Sequence, residues 1–508
     1  MSTRRDFLGR LSRLSLVAAG LPAMAPWLRP RWLADPFTVG VASGDPMPDG
    51  VVLWTRLAPD VAAGGGMPPA NVEVRWEVAE DEGMRRIVRQ GRATASPDFT
   101  HAVHVEVDGL RPARWYWYRF SSGGVESRVG RTRTAPEATR ALDRMRFAFV
   151  SCQHYEQGYY AAYRHLAEED LDFVAHLGDY IYESTVPGRA RQHGSPPPRT
   201  LAEYRARYAL YKTDADLQRA HAAFPWIGTW DDHEVENNYA GATPLTPRDG
   251  FLLQRAAAYR AFYEHQPLRR SSIPRGPDML IYRALSYGTM ARLHVLDGRQ
   301  YRSDQACGDG SQAVPCGDWA SPERTMLGAR QERWLERGLG ASRTRWNVLA
   351  QQTTMAPIVG NPGPPPKHPM DPWSGYPAAR ERLTGFIAAR RVPNVVVLTG
   401  DIHASFASQI RTGYSDDSAP VVATEFVGTS MSSGGNGSDQ WGGAEALLSA
   451  NPWVRYHSNR RGYVRCEVTP ETWRSDYRLL PYVDRPDAPI ATHATWVARS
   501  GHPGPEPG

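Results

Sequence analysis

Metal-binding side chains gather at four points along the 508-residue chain. Cys152 and His154 follow the apolar run FAFVS, and Asp179 and Tyr182 follow HLG. The run Asp231-Asp232-His233-Glu234 with Asn237 and Asn238 follows IGTW, and Asp401 and His403 follow VVVLTG. Such donors divide into two kinds. Carboxylate and amide oxygens, as on Asp231, Asp232, Asn237 and Asp401, suit calcium or magnesium, with manganese also open. A phenol titrates near ~10 in water, so Tyr182 binds as a phenolate only beside a strongly acidic cation, for which ferric iron is the natural candidate. Cys152 as thiolate, Asp179 and His403 would complete a mixed sulfur, oxygen and nitrogen shell around it. On a turn, Asp179 and Tyr182 at i and i+3 share one face and can meet one ion, while Tyr180 points elsewhere and packs.

These groups need elements to bring them together. The preceding runs read as strands over 147–150, 173–177, 226–230 and 395–399, with further strands at 291–296 and 346–350. Helical segments over 159–169, 200–220, 248–265, 328–340 and 377–391 alternate with them, which is the pattern of an α/β layered domain. In open α/β sheets the carboxyl ends of strands line the ligand crevice, so four such ends converging make a binuclear site. Upstream, residues 36–136 carry short alternating runs and turn signals at the spacing of a small all-β sandwich. There Leu110-Arg111-Pro112 ahead of Tyr116 and Tyr118 resembles the corner of a fibronectin type III domain. The joint PEATRALD precedes this α/β region, at 143–500, and the tail GHPGPEPG (501–508) is expected to be disordered.

Composition narrows the function classes. With 41% hydrophobic and 22% charged residues the chain is an ordinary globular protein. Its formal charge of +5 resides in the first 34 residues, so no nucleic-acid partner follows. That segment reads Thr3-Arg4-Arg5-Asp6-Phe7-Leu8 and then a weakly apolar stretch, the pattern of a twin-arginine signal peptide over 1–34. It implies the twin-arginine export machinery as a partner and a periplasmic or extracellular address. No other segment has 18 consecutive apolar residues, so no stable membrane span is expected. Cys307 and Cys316 bracket a short Gly/Asp-rich loop and suit a small disulfide outside the cytoplasm, whereas Cys466 reads as a buried small hydrophobe. Asp417-Ser418-Ala419 reads as a turn rather than a nucleophile motif, and the serine- and glycine-rich 428–435 lacks the lysine of a phosphate loop.

Through SCQHYEQGYYAAYRHLAEEDLDFVAHLGDYIYE, PWIGTWDDHEVENNY, DGRQYRSDQACGDG and VVVLTGDIHASFAS, the chain resembles the PhoD-like alkaline phosphatase family. The resemblance implies a metallophosphatase-like αββα sandwich preceded by a small fibronectin/Ig-like all-β domain, and a centre holding Fe(3+) and Ca(2+). It makes Cys152, Asp179, Tyr182 and His403 the iron ligands. Asp179 would bridge to calcium, with Asp401 and one or more of Asp231, Asp232 and Asn237 completing that shell. It implies hydrolysis of phosphate mono- and diesters by a metal-activated hydroxide, with no phosphoenzyme and a role in phosphate acquisition. Arg205, with Arg199 and Arg207, is a candidate for gripping the phosphate. His233, beside Asp232, either protonates the leaving group, joins a metal or orders its turn. Two rival readings stand: a phospholipase D-like phosphodiesterase acting on lipid headgroups, and a non-catalytic cell-surface binding protein.

Overall fold

The computed structural model describes residues 27–28, 30–186, 190–360, 363, 365–415 and 418–508. The arginine pair and apolar stretch of the expected signal peptide, and Asp417 of the rejected nucleophile motif, lie outside the described residues.

Two sheets form the body of the molecule. In the first, Met145–Val150 pairs parallel with Phe173–His176, which pairs parallel with Pro225–Gly228. On its other side Met145–Val150 pairs antiparallel with Arg461–Val468, followed by Thr472–Leu480, Ala491–Arg499 and His502–Pro507. In the second, Ala291–Val295, Trp346–Ala350, Val395–Thr399 and Val421–Val427 run parallel side by side. Val395–Thr399, apolar up to its closing threonine, is buried along its whole length, as befits a parallel strand covered on both faces.

The sheets face each other across Phe147, Phe173 and Ile227 from one and Leu293, Val348, Val396 and Phe426 from the other. The helices Ala161–Leu166, Leu201–Lys212, Ala215–Ala223 and Phe251–His265 cover the outer face of the first sheet, packing Tyr163, Tyr208, Leu217 and Phe262 on Ala148, Val174 and Trp226. Gly328–Gly340 and Pro377–Arg390 cover the second sheet through Leu335, Leu339, Leu383 and Ile387. The order of layers is therefore helix, sheet, sheet, helix. Among the described residues, no helix is long and apolar enough to cross a membrane.

Two expectations are corrected. The stretch 200–220 is two helices, because Asp214 accepts from the backbone N–H groups of Asp216 and Leu217 and so starts a second helix after Thr213. The tail 501–508, expected to be disordered, is a strand. Its backbone pairs with Ala491–Arg499, and the Gly504 N–H donates to Thr424 Oγ1 at 2.9 Å, so ladder bonds and a seat on the second sheet order a sequence poor in apolar side chains. The β region and the α/β region share a sheet. The sandwich packs Asn71–Ala79, Ile87–Ala95 and Trp115–Ser122 against Val41–Met47, Gly50–Arg56 and Ala102–Val107, around Leu53, Val74, Val105 and Tyr116. Val41–Met47 then pairs parallel with Pro225–Gly228, so one ten-stranded sheet runs through both regions. The contact is close enough to require glycine: a Cβ on Gly44 would stand 2.7 Å from the Trp226 carbonyl oxygen. The expected corner is present, with Tyr116 Oη accepting from the Arg111 N–H at 2.9 Å.

Candidate metal centre

The chemistry-bearing residues lie just past the ends of the strands, where the backbone turns sharply. Cys152, Asp179, Asp401 and His403 all sit in the left-handed region, at φ of 59°, 58°, 64° and 56°. That conformation costs a non-glycine residue about 1–2 kcal/mol, so its surroundings must hold it. The Cys152 N–H donates to Gly178 O and the Gln153 N–H to Asp179 O, both at 3.1 Å. The Cys152 carbonyl accepts from Ser433 Oγ at 2.8 Å, so the serine-rich loop after Val421–Val427 clamps the thiol's backbone rather than a phosphate. Gly178 is demanded by space as well as by φ, because a Cβ there would stand 2.4 Å from Asp231 Cβ.

Donor atoms of Cys152, Asp179 and His403 lie within 4.8 Å of one another. Tyr182 Oη joins them, donating to Asp179 Oδ2 at 2.7 Å and standing 2.9 Å from His403 Nε2. Two further clusters adjoin at the same spacing: Asp179 with Asp232 and His233, and Asp231 with Asp232 and Asp401. Asp179 is common to the first two and Asp232 to the last two. A sulfur-, oxygen- and nitrogen-donor pocket therefore opens onto an oxygen-rich one.

Charge in these pockets is out of balance. Burial pushes the Cys152 thiol and the Tyr182 phenol well above their usual ranges, and the neighbouring Asp179 pushes both further. Burial raises Asp179 and Asp401, aggravated by the Asp231 and Asp232 carboxylates beside them. Asp231 rises to about 6 for the same reason, although Arg299 pulls the other way. Burial, then Arg461, lowers His403 to about 3, leaving its imidazole neutral, the form that binds metals. Asp231 Oδ2 is buried without a hydrogen-bond partner. Crowded buried carboxyl groups whose ionisation burial opposes, an orphaned carboxylate oxygen and a neutral imidazole beside a thiol and a phenol are a donor set that fits cations.

A further layer of side chains orients the donors. Glu234 accepts from the backbone N–H groups of Asp179 (3.1 Å), Tyr180 (2.6 Å) and Asp231 (2.9 Å), tying two of the turns together. Glu183 accepts from His233 Nδ1 at 2.6 Å and from the Asn237 N–H at 3.0 Å. The His233 ring stacks on Tyr182 with centroids 4.1 Å apart, and the His233 backbone N–H donates to Asp232 Oδ1 at 2.9 Å. Burial disfavours the His233 cation, but Glu183, Asp232 and Asp179 outweigh it and raise the imidazole well above its usual range. Asp232 is held low: Arg299 and His233 overcome the cost of burial, and the Asn238 N–H donates to it at 2.7 Å. His154 packs against the Tyr182 ring, with Nδ1 accepting from the Glu156 N–H.

The arginines are where the sequence reading fails. Arg205 does not face the centre. It forks onto Glu264 at 2.6 and 2.7 Å and donates to Asp98 O, because Glu264 is fully buried and its charge must be paired. Arg199 donates to Gln254, and Arg207 to the carbonyls of Tyr182 and Glu183. An arginine that does lie in the centre is Arg299, which ion-pairs with Asp231, Asp232, Asp371 and Asp401. Neither it nor Asp371 was singled out from the sequence, nor was Glu183. The usable signal was position, since Arg299 follows Ala291–Val295, another strand ending at this edge. The expected Cys307–Cys316 disulfide is present, and Cys466 is buried in its strand.

Comparison with known proteins places this site in a family. Residues 147–477 match the PhoD-like phosphatase family, and residues 23–136 match the PhoD-like phosphatase N-terminal domain. Alkaline phosphatase D of Bacillus subtilis (strain 168) is 50% identical over 515 residues, covering 99% of this chain and 88% of that protein. A solved structure of PhoD superposes with a TM-score of 0.92 at 51% identity, covering 94% of this chain and 93% of the other.

Proposed function

The chain belongs to the PhoD-like phosphatase family and is a phosphoric ester hydrolase; from that premise we propose that it hydrolyses phosphate mono- and diesters at a centre of ferric iron and calcium, after export by the twin-arginine pathway. One observation carries the reading: the Cys152, Asp179 and His403 donors lie within 4.8 Å of one another, with Tyr182 Oη hydrogen-bonded to Asp179 and His403, directly beside an all-carboxylate cluster. The fold is read as the metallophosphatase-like αββα sandwich. Cys152, Asp179, Tyr182 and His403 would hold the iron. Asp179 would also reach calcium, with Asp401, Asp231, Asp232 and the Asn237 amide as its further donors. Bound cations supply Lewis acidity, lowering the pKa of water and offsetting charge on the phosphoryl oxygens.

The chain's own groups do the rest. Glu183 and Asp232 fix the His233 ring through Nδ1 and the backbone N–H, so that a proton on Nε2 is available to the leaving-group oxygen. Arg199, Arg205 and Arg207 are all committed elsewhere, so the phosphate charge is met by the cations and His233 rather than by an arginine fork. The disulfide accords with an oxidising compartment.

Turnover of p-nitrophenyl phosphate and bis-p-nitrophenyl phosphate, with calcium at alkaline pH, tests the proposal. Hydrolysis of both supports it, a diester preference directs the search to lipid headgroups, and no hydrolysis of either by metal-loaded protein defeats it. Export is tested separately by replacing Arg4 and Arg5 with lysine, which should retain the protein in the cytoplasm.

A further inference from the structure

We infer that Arg299 is the positioning residue of the oxygen-rich half of the centre: it holds Asp231 and Asp401 by one carboxylate oxygen each and so presents their other oxygens to a divalent cation. The inference rests on the reading above that these carboxylates take such a cation. Arg299 is fully buried and spends its three nitrogens in different directions. Nε pairs with Asp231 Oδ1, and Nη2 reaches Asp401 Oδ1 at 3.2 Å. Nη1 grips both oxygens of Asp371 at 2.7 and 2.9 Å. The second oxygen of Asp231 has no partner in the protein, which is the arrangement of a carboxylate divided between an orienting donor and a ligand position.

Asp371 is not a member of any of the three donor clusters of the centre. It serves as the anchor that aims the guanidinium. It is itself held by Arg302 Nη2 at 2.7 Å and Gln305 Nε2 at 3.0 Å, the latter two residues before the disulfide cysteine Cys307. Geometry rather than charge is what the site requires of Arg299. Only a rigid planar fork can serve three carboxylates at once, whereas an ammonium is a point charge on a flexible stem. A single guanidinium also leaves the surrounding acids in excess, so negative charge remains for a cation to neutralise.

The test is calcium titration by calorimetry on full-length protein stripped with EGTA, with iron measured by elemental analysis on the same samples. Arg299→Lys keeps the charge and loses the fork. It should bind calcium about 10- to 100-fold more weakly while retaining its iron, and its activity should be restored at saturating calcium. Asp371→Asn, which leaves every candidate ligand in place, should shift calcium affinity in the same direction, and it carries the test should Arg299→Lys fail to fold. Wild-type calcium affinity in folded Arg299→Lys or in Asp371→Asn overturns the inference, as does equal loss of iron and calcium in both variants, which would mark a merely structural role. A wild-type protein that binds no divalent cation overturns the proposed function and this inference together. Normal binding by wild type and variants alike overturns the inference alone.

Discussion

Lys212, the last residue of the helix Leu201–Lys212, lends itself to a quantitative test. Its ammonium is buried, 4.3 Å from the Trp54 ring centroid and 5.2 Å from that of Tyr180, the neighbour of Asp179. Burial lowers its pKa from 10.5 to about 7. At 1.36 kcal/mol per unit, keeping this lysine charged in the folded protein costs about 5 kcal/mol. The two aromatic faces return about 1–2 kcal/mol, leaving a net penalty of about 3 kcal/mol. The folded pKa is depressed, so across the window from about 7 to 10.5 the unfolded chain binds the proton more readily than the folded one. Stability from this group therefore rises with pH through that window, and the penalty is fully present below it. Lys212→Met keeps the unbranched stem without the charge. In urea unfolding it should exceed wild type by about 3 kcal/mol at pH 7, the gap closing to under about 1 kcal/mol by pH 10, where the folded lysine is neutral and the pH nears the pKa of the unfolded one. A Lys212→Met protein no more stable than wild type at pH 7, or a gap independent of pH, would refute this reasoning.

Other consequences are as direct. Tyr182→Phe should abolish both ester hydrolysis and any visible absorption of the metal-loaded protein, as read by spectrophotometry. Cys152→Ala should lose iron in elemental analysis, since burial lets this thiol ionise only beside a cation. His233→Asn should lower kcat by about 10²–10⁴-fold on alkyl phosphates, whose leaving group needs a proton, and much less on p-nitrophenyl esters, with bound metal unchanged. Arg205→Ala should lower the unfolding midpoint but leave kcat/KM intact. Because Arg260 still pairs with Glu264 at 2.7 Å, the loss should fall short of the about 3–5 kcal/mol for stripping a buried charge bare.

The candidate centre was legible in the sequence because each donor run follows a largely apolar strand, and strand ends on one edge of parallel sheets must meet. Cys152, Asp179, Asp401 and His403 need no long-range information beyond that rule, and Tyr182 follows from a three-residue spacing. The arginines are different. Their long side chains reach partners far away in sequence, as Arg299 reaches Asp371 and Arg205 reaches Glu264, so nothing local distinguishes the one in the site from the one in the wall. The same limit applies to His502–Pro507, whose order comes from backbone bonds to Ala491–Arg499. It applies too to the two-residue parallel contact at Ser43 and Gly44 that fuses the β region to the catalytic sheet. Alternation reveals strands, but strand partners are a tertiary fact.

In the proposed function the thiol, phenol, imidazole and bridging carboxylate hold iron while the neighbouring aspartates hold calcium, and ester hydrolysis needs both. The decisive measurement is the iron content and phosphoesterase activity of the purified protein before and after EGTA treatment, and again after calcium is restored. Iron should survive EGTA, activity should vanish on EGTA treatment, and adding calcium should restore it in full. Protein that hydrolyses phosphate esters without iron, or whose activity is indifferent to EGTA, would contradict the proposed function.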